Sequence, residues 1–410
     1  MENCTHSELF DGLCVFCGKD LSHEENKDYD CNSDIQIRGE ERDVMKKNLS
    51  QFLLENKKLA LVIDLDKTLI DTCCPMSEQE ANAIIKEDPE HENDFFYFKQ
   101  GNYIYLVRIR PYAREFLQNI SKDFHLYLDT LSQRSYAEAI LEKLDPNRLF
   151  GDRIRCRNER KLDTKNINSF ILDDRYTIAL DDTPDVWITE KKYKRENDRS
   201  TQIYHNLIQL VPFTFFVKKD MSYHVSERGI NDNQLIKIQN VLSEIHDHFY
   251  EFEQTDVIVT INDLKKNILK GCYILFTNIS DREDVVARLY KKAEDFGANV
   301  LFSHTPYITH VVTCGLSEEL YKEVSNYKGV YIVNPGWIDY SCFRFEKEDE
   351  YNYPVANLPV ITVGEKQIAE PPNEDIDSSD IDEFIGEEED ANDNAADNDS
   401  ADSEDISFLE

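Results

Sequence analysis

Residues Leu59-Ala60-Leu61-Val62-Ile63 are five apolar residues in a row, and Asp64-Leu65-Asp66-Lys67-Thr68 follows directly. A strand apolar on both faces must be covered on both faces, as in the middle layer of a three-layer parallel sheet. Two more short runs repeat the pattern, Phe124-His125-Leu126-Tyr127-Leu128 and Thr177-Ile178-Ala179-Leu180. Between them, Ser135 to Leu144 is predicted to be a helix, with Ala139, Ile140 and Leu144 on one face. A second helix is predicted from Asn233 to Phe252. Strands alternating with amphipathic helices give an α/β fold with a parallel, three-layered core.

From Leu269 a second series begins. It comprises a strand from Tyr273 to Phe276, a helix from Asp284 to Phe296 stopped by Gly297, and strands at Ile308–Thr313 and Val330–Val333. The chain is therefore divided into a Cys/His-rich segment and linker (1–42), a catalytic α/β domain (43–255), a smaller α/β domain with its linking helix (256–352) and an acidic tail (353–410). No Lys or Arg follows Lys366, whereas 18 of the residues from Glu370 to Glu410 are Asp or Glu. Its sparse apolar residues, Ile376 to Ile385 and Ile406 to Leu409, cannot offset the entropy of ordering it, so disorder is expected. Solubility is one role for such a tail; docking onto a basic, grooved partner is another.

The formal net charge is −35. A chain this acidic is repelled by a phosphate backbone, so no direct nucleic-acid partner is expected. No apolar run reaches transmembrane length and the first residues lack a signal-peptide pattern, so neither membrane nor secretion is expected. Ten cysteines without regular pairing suit a reducing compartment.

The chemistry is expected at the strand ends. Ligands of open α/β sheets bind beyond the carboxyl ends of strands. Asp64 and Asp66 stand there and can face one site, because alternate residues of an extended chain point the same way. Mutual repulsion of such carboxylates is relieved by a hard divalent cation such as Mg²⁺. Asp181 and Asp182 supply more oxygen ligands at another strand end. The Thr130 hydroxyl can donate to a phosphate oxygen, and Lys165, with Lys161 as a nearby competitor, can neutralise the same phosphate.

That ordered set resembles the haloacid dehalogenase superfamily of aspartate-based phosphatases. Within it, the chain is similar to the TFIIF-associating RNA polymerase II C-terminal-domain phosphatases. The residues that carry this are Ile63 to Leu69, Val107-Arg108-Ile109-Arg110-Pro111, Thr130 to Ala137, Asp181 to Trp187, Asn206-Leu207-Ile208 and Pro212 to Phe216, with Cys4-Thr5-His6 and Gly12 to Gly18 at the amino terminus. Two departures are Ser132, where the family has Gly, and Thr183, where it has Arg.

The resemblance implies a nuclear, Mg²⁺-dependent protein phosphatase acting on phosphoserine in the C-terminal repeat of RNA polymerase II. Asp64 is then the nucleophile that forms an aspartyl-phosphate, and Asp66 the general acid and then base. Mg²⁺ is held by Asp64, the Asp66 backbone carbonyl and Asp182, with Asp181 as a further acidic support. Thr130 and Lys165 hold phosphoryl oxygens, and Thr68 orders the nucleophile loop. Arg110 either reaches the peptide or braces the site; Arg134 is a second substrate-binding candidate. The acidic tail, by the same resemblance, meets a basal transcription factor such as TFIIF.

Three further features complete the reading. Phe95-Phe96-Tyr97-Phe98, Gln100-Gly101-Asn102 and Tyr103-Ile104-Tyr105 predict a hairpin whose aromatics serve the core or a peptide groove. Basic residues cluster at Arg153, Arg155, Arg157, Arg160 and Lys161, and again at Lys191, Lys192, Lys194 and Arg195. Leu269-Lys270-Gly271-Cys272, Gly297-Ala298, Thr309-His310-Val311-Val312 and Pro335-Gly336-Trp337-Ile338 resemble a BRCT domain, in which Trp337 packs in the core. Thr277 and Lys322 are its phosphopeptide candidates, though Asn278 stands where binders have Gly. Finally, Cys14 and Cys17 have a spacing that lets both thiolates reach one Zn²⁺, with Cys4 and His6 to complete a tetrahedron, Cys31 being spare. Small buried thiols are the other reading of this group.

Overall fold

The computed structural model describes residues 4–10, 13–21, 35–157, 164–190, 201–219, 222–316, 321–322 and 329–355. The acidic tail, Cys31, the Arg160–Lys161 pair and the basic run from Lys191 lie outside these residues. The chain divides into two units, 1–366 and 367–410, of which the second lies wholly outside the described residues.

The amino-terminal strands β1 (Glu8–Phe10), β2 (Leu13–Cys14) and β3 (Ile35–Ile37) form a small antiparallel sheet ordered β2-β1-β3. Helix α1 (Gly39–Glu55) leads into β4 (Leu59–Ile63), whose five residues are all buried. The β4 side chains alternate as a strand's must. Leu59, Leu61 and Ile63 enter the core beneath the later helices, while Ala60 and Val62 pack with Leu53 of α1 and with Trp187.

An insertion follows: β5 (Ile70–Cys73), α2 (Glu78–Ile85), β6 (Phe95–Gln100) and β7 (Tyr103–Ile109), with an antiparallel order β5-β7-β6. The predicted hairpin is present. Gln100 pairs with Tyr103, and Gly101 takes the positive φ (58°) that so short a turn requires. The chain then returns through α3 (Ala113–Ile120), β8 (Phe124–Asp129), α4 (Arg134–Leu144), β9 (Ile154–Arg155) and β10 (Thr177–Asp181). The pair β11 (Ile188–Glu190) and β12 (Thr201–Ile203) precedes β13 (Leu207–Gln209). A hairpin of β14 (Phe216–Lys219) and β15 (Ser222–Val225), a short α5 (Glu227–Ile230), then α6 (Gln234–Glu251) and α7 (Val257–Ile268) complete the domain.

The main sheet is parallel throughout, in the order β13-β10-β4-β8-β9. The first strand therefore sits in the centre, with β8 on one side and β10 on the other. That reversal opens a crevice at the carboxyl end of β4. On α4 the buried residues are Tyr136, Ala137, Ile140, Leu141 and Leu144, so its inward face is centred away from the half-buried Ala139.

The smaller domain contains β16 (Tyr273–Thr277), α8 (Glu283–Asp295), β17 (Asn299–Leu301), β18 (His310–Thr313), β19 (Tyr331–Val333) and α9 (Gly336–Arg344), with a parallel sheet ordered β17-β16-β18-β19. Trp337 is fully buried, stacks on His310 at 4.4 Å and donates its indole N–H to the Glu348 carbonyl. The boundary between the domains is less sharp than the sequence suggests. Val257 and Ile261 of α7 belong to the core of the first domain, and the core of the second starts at Leu269.

Candidate active site

Three neighbouring strands end at one place. Asp64 and Asp66 follow β4, Asp129 and Thr130 close β8, and Asp181 and Asp182 close β10. Register holds the ends level, because Ile63 lies between Leu128 and Leu180 in the ladder. The loop after β4 is tightly tied. Lys67 adopts a positive φ of 62°, uncommon for a residue with a side chain, and turns the chain back so that Leu69 and Ile70 both donate to the Leu65 carbonyl. Buried Asp71 secures the turn, pairing with the Lys67 ammonium and accepting from the Phe215 (2.7 Å) and Phe216 (2.9 Å) amides.

Lys165 reaches this point from the segment before β10. Its ammonium pairs with the Asp64 carboxylate and lies 2.5 Å from an Asp181 oxygen, with all three side chains buried. The Trp187 indole also donates to that Asp181 oxygen, at 2.8 Å, and the Thr183 amide donates to the other, at 2.8 Å. Asp64, Asp181 and Asp182 each present a carboxylate oxygen, all within 4.8 Å of one another. Burial pushes Asp64 well above the ordinary carboxylate range, with Asp181 and Asp66 adding to it against the pull of Lys165. Burial, then the Asp181 charge, likewise raise Asp182. Lys165 is itself penalised by burial, yet the Asp64 and Asp181 charges hold its pKa above the usual lysine value. One ammonium cannot balance three crowded carboxylates. An all-oxygen, over-charged group of this kind fits a hard divalent cation.

Asp66 is held differently. Its carboxylate accepts from the Tyr136 hydroxyl (2.7 Å), the Ser132 hydroxyl (2.7 Å) and, at 3.5 Å, the Thr130 hydroxyl. Its side chain is therefore steadied by hydroxyl donors and lies outside the trio of converging carboxylates. Thr130 is fully buried and accepts from the Ser132 amide at 3.1 Å. Ser132, Tyr136 and Trp187 stand inside sequence motifs whose pattern gives them no task at the carboxylates; the fold does. A signal for Tyr136 exists in the chain: it falls on the inward face of α4, six residues past Thr130.

Other candidates are placed outside the reacting cluster. Arg110 is fully buried and gripped by Asp232 (2.8 and 2.9 Å), the Thr68 and Val211 carbonyls and Gln234. A side chain without exposed surface has none to offer a peptide, so of its two readings the brace is the one the geometry supports. Arg134 starts α4, donates to the Ile154 carbonyl at 2.7 Å and pairs with Glu138 at 3.5 Å. The Thr68 hydroxyl is buried and finds no hydrogen-bond partner among the described residues; its link to the loop is the carbonyl that Arg110 holds. Arg153 and Arg155 are drawn into the scaffold, while Arg157 is exposed and its amide donates to Ser132. Cys4, His6, Cys14 and Cys17 converge in the amino-terminal unit.

The hairpin aromatics divide. Phe95 is buried with Phe213, Phe215 and Phe216. Phe98 stacks on Tyr105 (5.3 Å), and both lie against Tyr136 (5.8 and 5.3 Å). This aromatic face therefore ends on the ring whose hydroxyl holds Asp66, and Tyr103 beside it is 63% exposed.

Residues 59–253 match the NLI interacting factor-like phosphatase family, and residues 264–342 match the BRCA1 C-terminus (BRCT) domain. The chain is 27% identical to an RNA polymerase II C-terminal domain phosphatase of Caenorhabditis elegans, over 85% of this chain and 56% of that one. It is 26% identical to RNA polymerase II C-terminal domain phosphatase-like 4 of Arabidopsis thaliana, over 87% and 83%. It thus spans little more than half the length of the nematode relative. The solved structure of Fcp1, described as an essential RNA polymerase II CTD phosphatase, superposes with a TM-score of 0.60 over 76% of this chain and 99% of that one, at 22% identity, which speaks for a common fold. The chain thus carries an NLI interacting factor-like phosphatase domain of the haloacid dehalogenase type, followed by a BRCT domain.

Proposed function

We propose that this chain is a Mg²⁺-dependent protein phosphatase that removes phosphate from serine in the C-terminal repeat of RNA polymerase II. The observation that carries the reading is the convergence of Asp64, Lys165, Asp181 and Asp182 at the end of β4, with Asp66 beside them under hydroxyl control. The named relatives supply the substrate class. The acidic trio Asp64, Asp181 and Asp182, with the Asp66 carbonyl, would hold Mg²⁺, which when bound supplies charge neutralisation between carboxylate and phosphate.

The residues divide the work. The Asp64 carboxylate attacks phosphorus, an Asp64 oxygen–phosphorus bond forms, and the phosphorus–serine oxygen bond breaks. Asp66 gives its proton to the departing serine oxygen. It then takes a proton from the water that attacks the aspartyl-phosphate, and inorganic phosphate leaves. Lys165 fixes the Asp64 carboxylate, and with Thr130 stabilises the charge on the phosphoryl oxygens. The aromatic face of Phe98, Tyr105 and Tyr136 suits the proline and tyrosine rings of a repetitive peptide. By the same reading the protein works in the nucleus, and its acidic tail docks a basal transcription factor such as TFIIF.

The test is phosphate release from singly phosphorylated repeat peptides, with Mg²⁺ or with EDTA, for wild type and Asp64→Asn. We expect Mg²⁺-dependent release that EDTA abolishes and Asp64→Asn lowers at least about 10³-fold, the scale on which loss of a covalent nucleophile acts. Turnover of p-nitrophenyl phosphate without peptide release would reject the substrate while keeping the site. Loss of neither activity in Asp64→Asn would reject the mechanism.

A further inference from the structure

The segment ahead of the phosphatase domain forms a unit too small to be held by burial alone. Among the described residues its sheet packs on Leu9, Cys14 and Leu21, with Cys4 and Cys17 partly buried against them, while Phe10, Leu13, Val15 and Phe16 are exposed. Units of this size need a cross-link or a metal. At the centre of this one stand Cys4, His6, Cys14 and Cys17. Their ligand atoms, three sulfurs and an imidazole nitrogen, all lie within 4.8 Å of one another.

The separations discriminate between explanations. Cys4 Sγ lies 3.7 Å from Cys14 Sγ, and Cys17 Sγ lies 3.3 Å from His6 Nδ1. A disulfide needs about 2.05 Å between sulfurs. Bond lengths of about 2.3 Å to sulfur and about 2.0 Å to nitrogen in a tetrahedron place two thiolates about 3.8 Å apart, and a thiolate about 3.5 Å from an imidazole nitrogen. These two spacings match the tetrahedron, and the other pairs stay within 4.8 Å. Packing of thiols as small hydrophobes accounts for buried Cys14 and in part for Cys4 and Cys17, but not for the His6 imidazole nitrogen turned onto the Cys17 sulfur.

The backbone serves the same geometry. Gly18, at a φ of 71°, donates its N–H to the Cys14 carbonyl at 2.8 Å and closes the turn from Cys14 to Cys17. The turn aims the Phe16 and Cys17 amides at the Cys14 sulfur and the Lys19 amide at the Cys17 sulfur. Such amides orient metal-bound thiolates and offset their charge. His6 adopts a φ of 51°, a left-handed backbone that turns its side chain to a direction an extended chain would not give it.

We infer that Cys4, His6, Cys14 and Cys17 form a structural zinc site that staples the amino-terminal sheet. Four protein ligands leave no open position, so the site is closed to substrate, and its sulfur-rich donors set it apart from the all-oxygen cluster at β4. Zinc binding and the order of this unit are then one equilibrium.

The full chain is purified without chelator and its metal measured by mass spectrometry, for wild type, Cys14→Ser, Cys17→Ser, Asp182→Asn and the control Cys314→Ser. We expect about one zinc per chain in wild type, Asp182→Asn and Cys314→Ser, and near none in Cys14→Ser and Cys17→Ser. Exchange of the wild-type metal for Co²⁺ should give the intense visible bands of a tetrahedral thiolate site, which needs no variant to fold. Zinc retained undiminished in the Cys14→Ser and Cys17→Ser proteins would overturn the inference. So would a wild-type chain without zinc and without the Co²⁺ spectrum, or an intact mass lower by two hydrogens from a Cys4–Cys14 disulfide.

Discussion

At the scale of single residues, Asp66 shows how an ordinary aspartate becomes a directed one. A proton donor must be aimed, and Tyr136 and Ser132 take one carboxylate oxygen each at 2.7 Å. Tyr136→Phe keeps the ring against Phe98 and Tyr105 but removes one of these bonds. We expect kcat for a phosphopeptide to fall about tenfold or more, the scale of a hydrogen bond to a charged group, with KM nearly unchanged. A ring that serves packing alone would leave kcat untouched. A second residue governs acid stability. His125 is pushed down to about 4 from an ordinary value near 6.5, first by burial, then by the Arg153 and Lys58 charges. It is neutral in the folded protein at a pH where the unfolded chain already takes up a proton, so its contribution is complete above about 6.5 and is lost as pH falls toward about 4. His125→Gln should flatten that part of a plot of Tm against pH; an unchanged slope would refute the assignment.

At the scale of elements, two positions show how elements are fitted together. Gly297 follows α8 with a φ of 91°, and a Cβ there would lie 1.9 Å from the Lys266 carbonyl oxygen of α7. No side chain fits between the two helices at that point. Gly297→Ala should destabilise the BRCT domain by about 2 kcal/mol or more, measured by denaturant unfolding. Arg108 on β7 is the second case. It is fully buried between the Phe95 and Phe215 rings, at 5.0 and 5.1 Å, and lies 3.0 Å from Asp94. It joins the insertion to the segment that Asp71 ties to the loop after β4, so its task is to fasten two elements.

At the scale of the molecule, Gln234 links the catalytic domain to the BRCT domain. Its side-chain oxygen accepts from Arg110 and from the Val211 amide, both at 3.1 Å, and its nitrogen donates to the Phe343 carbonyl at 3.0 Å. Lys237 pairs with Glu346 on the same seam. The brace that holds the loop after β4 therefore continues into α9. Gln234→Ala should lower the midpoint of unfolding of both domains together, because it leaves buried donors unpaired. Unfolding of the BRCT domain at an unchanged midpoint would show that the seam carries no coupling.

Local pattern along the chain was enough to place the strands of the central layer. Apolar runs such as Leu59 to Ile63 point to strands covered on both sides, and Asp64, Asp66, Thr130 and Asp181 fall at the ends of such runs. Pattern sufficed there because burial acts residue by residue along one strand. It did not suffice for Arg110, which reads equally as substrate ligand or brace until Asp232 and Gln234, more than a hundred residues away, surround it. Tyr136 was legible as part of a motif but not as a partner of Asp66. Nor could spacing alone place Cys4, His6, Cys14 and Cys17 within 4.8 Å, since that depends on how the small sheet folds the two segments together. Those assignments belong to tertiary structure because hydrogen-bond partners and ligand distances are set by residues far apart in the chain.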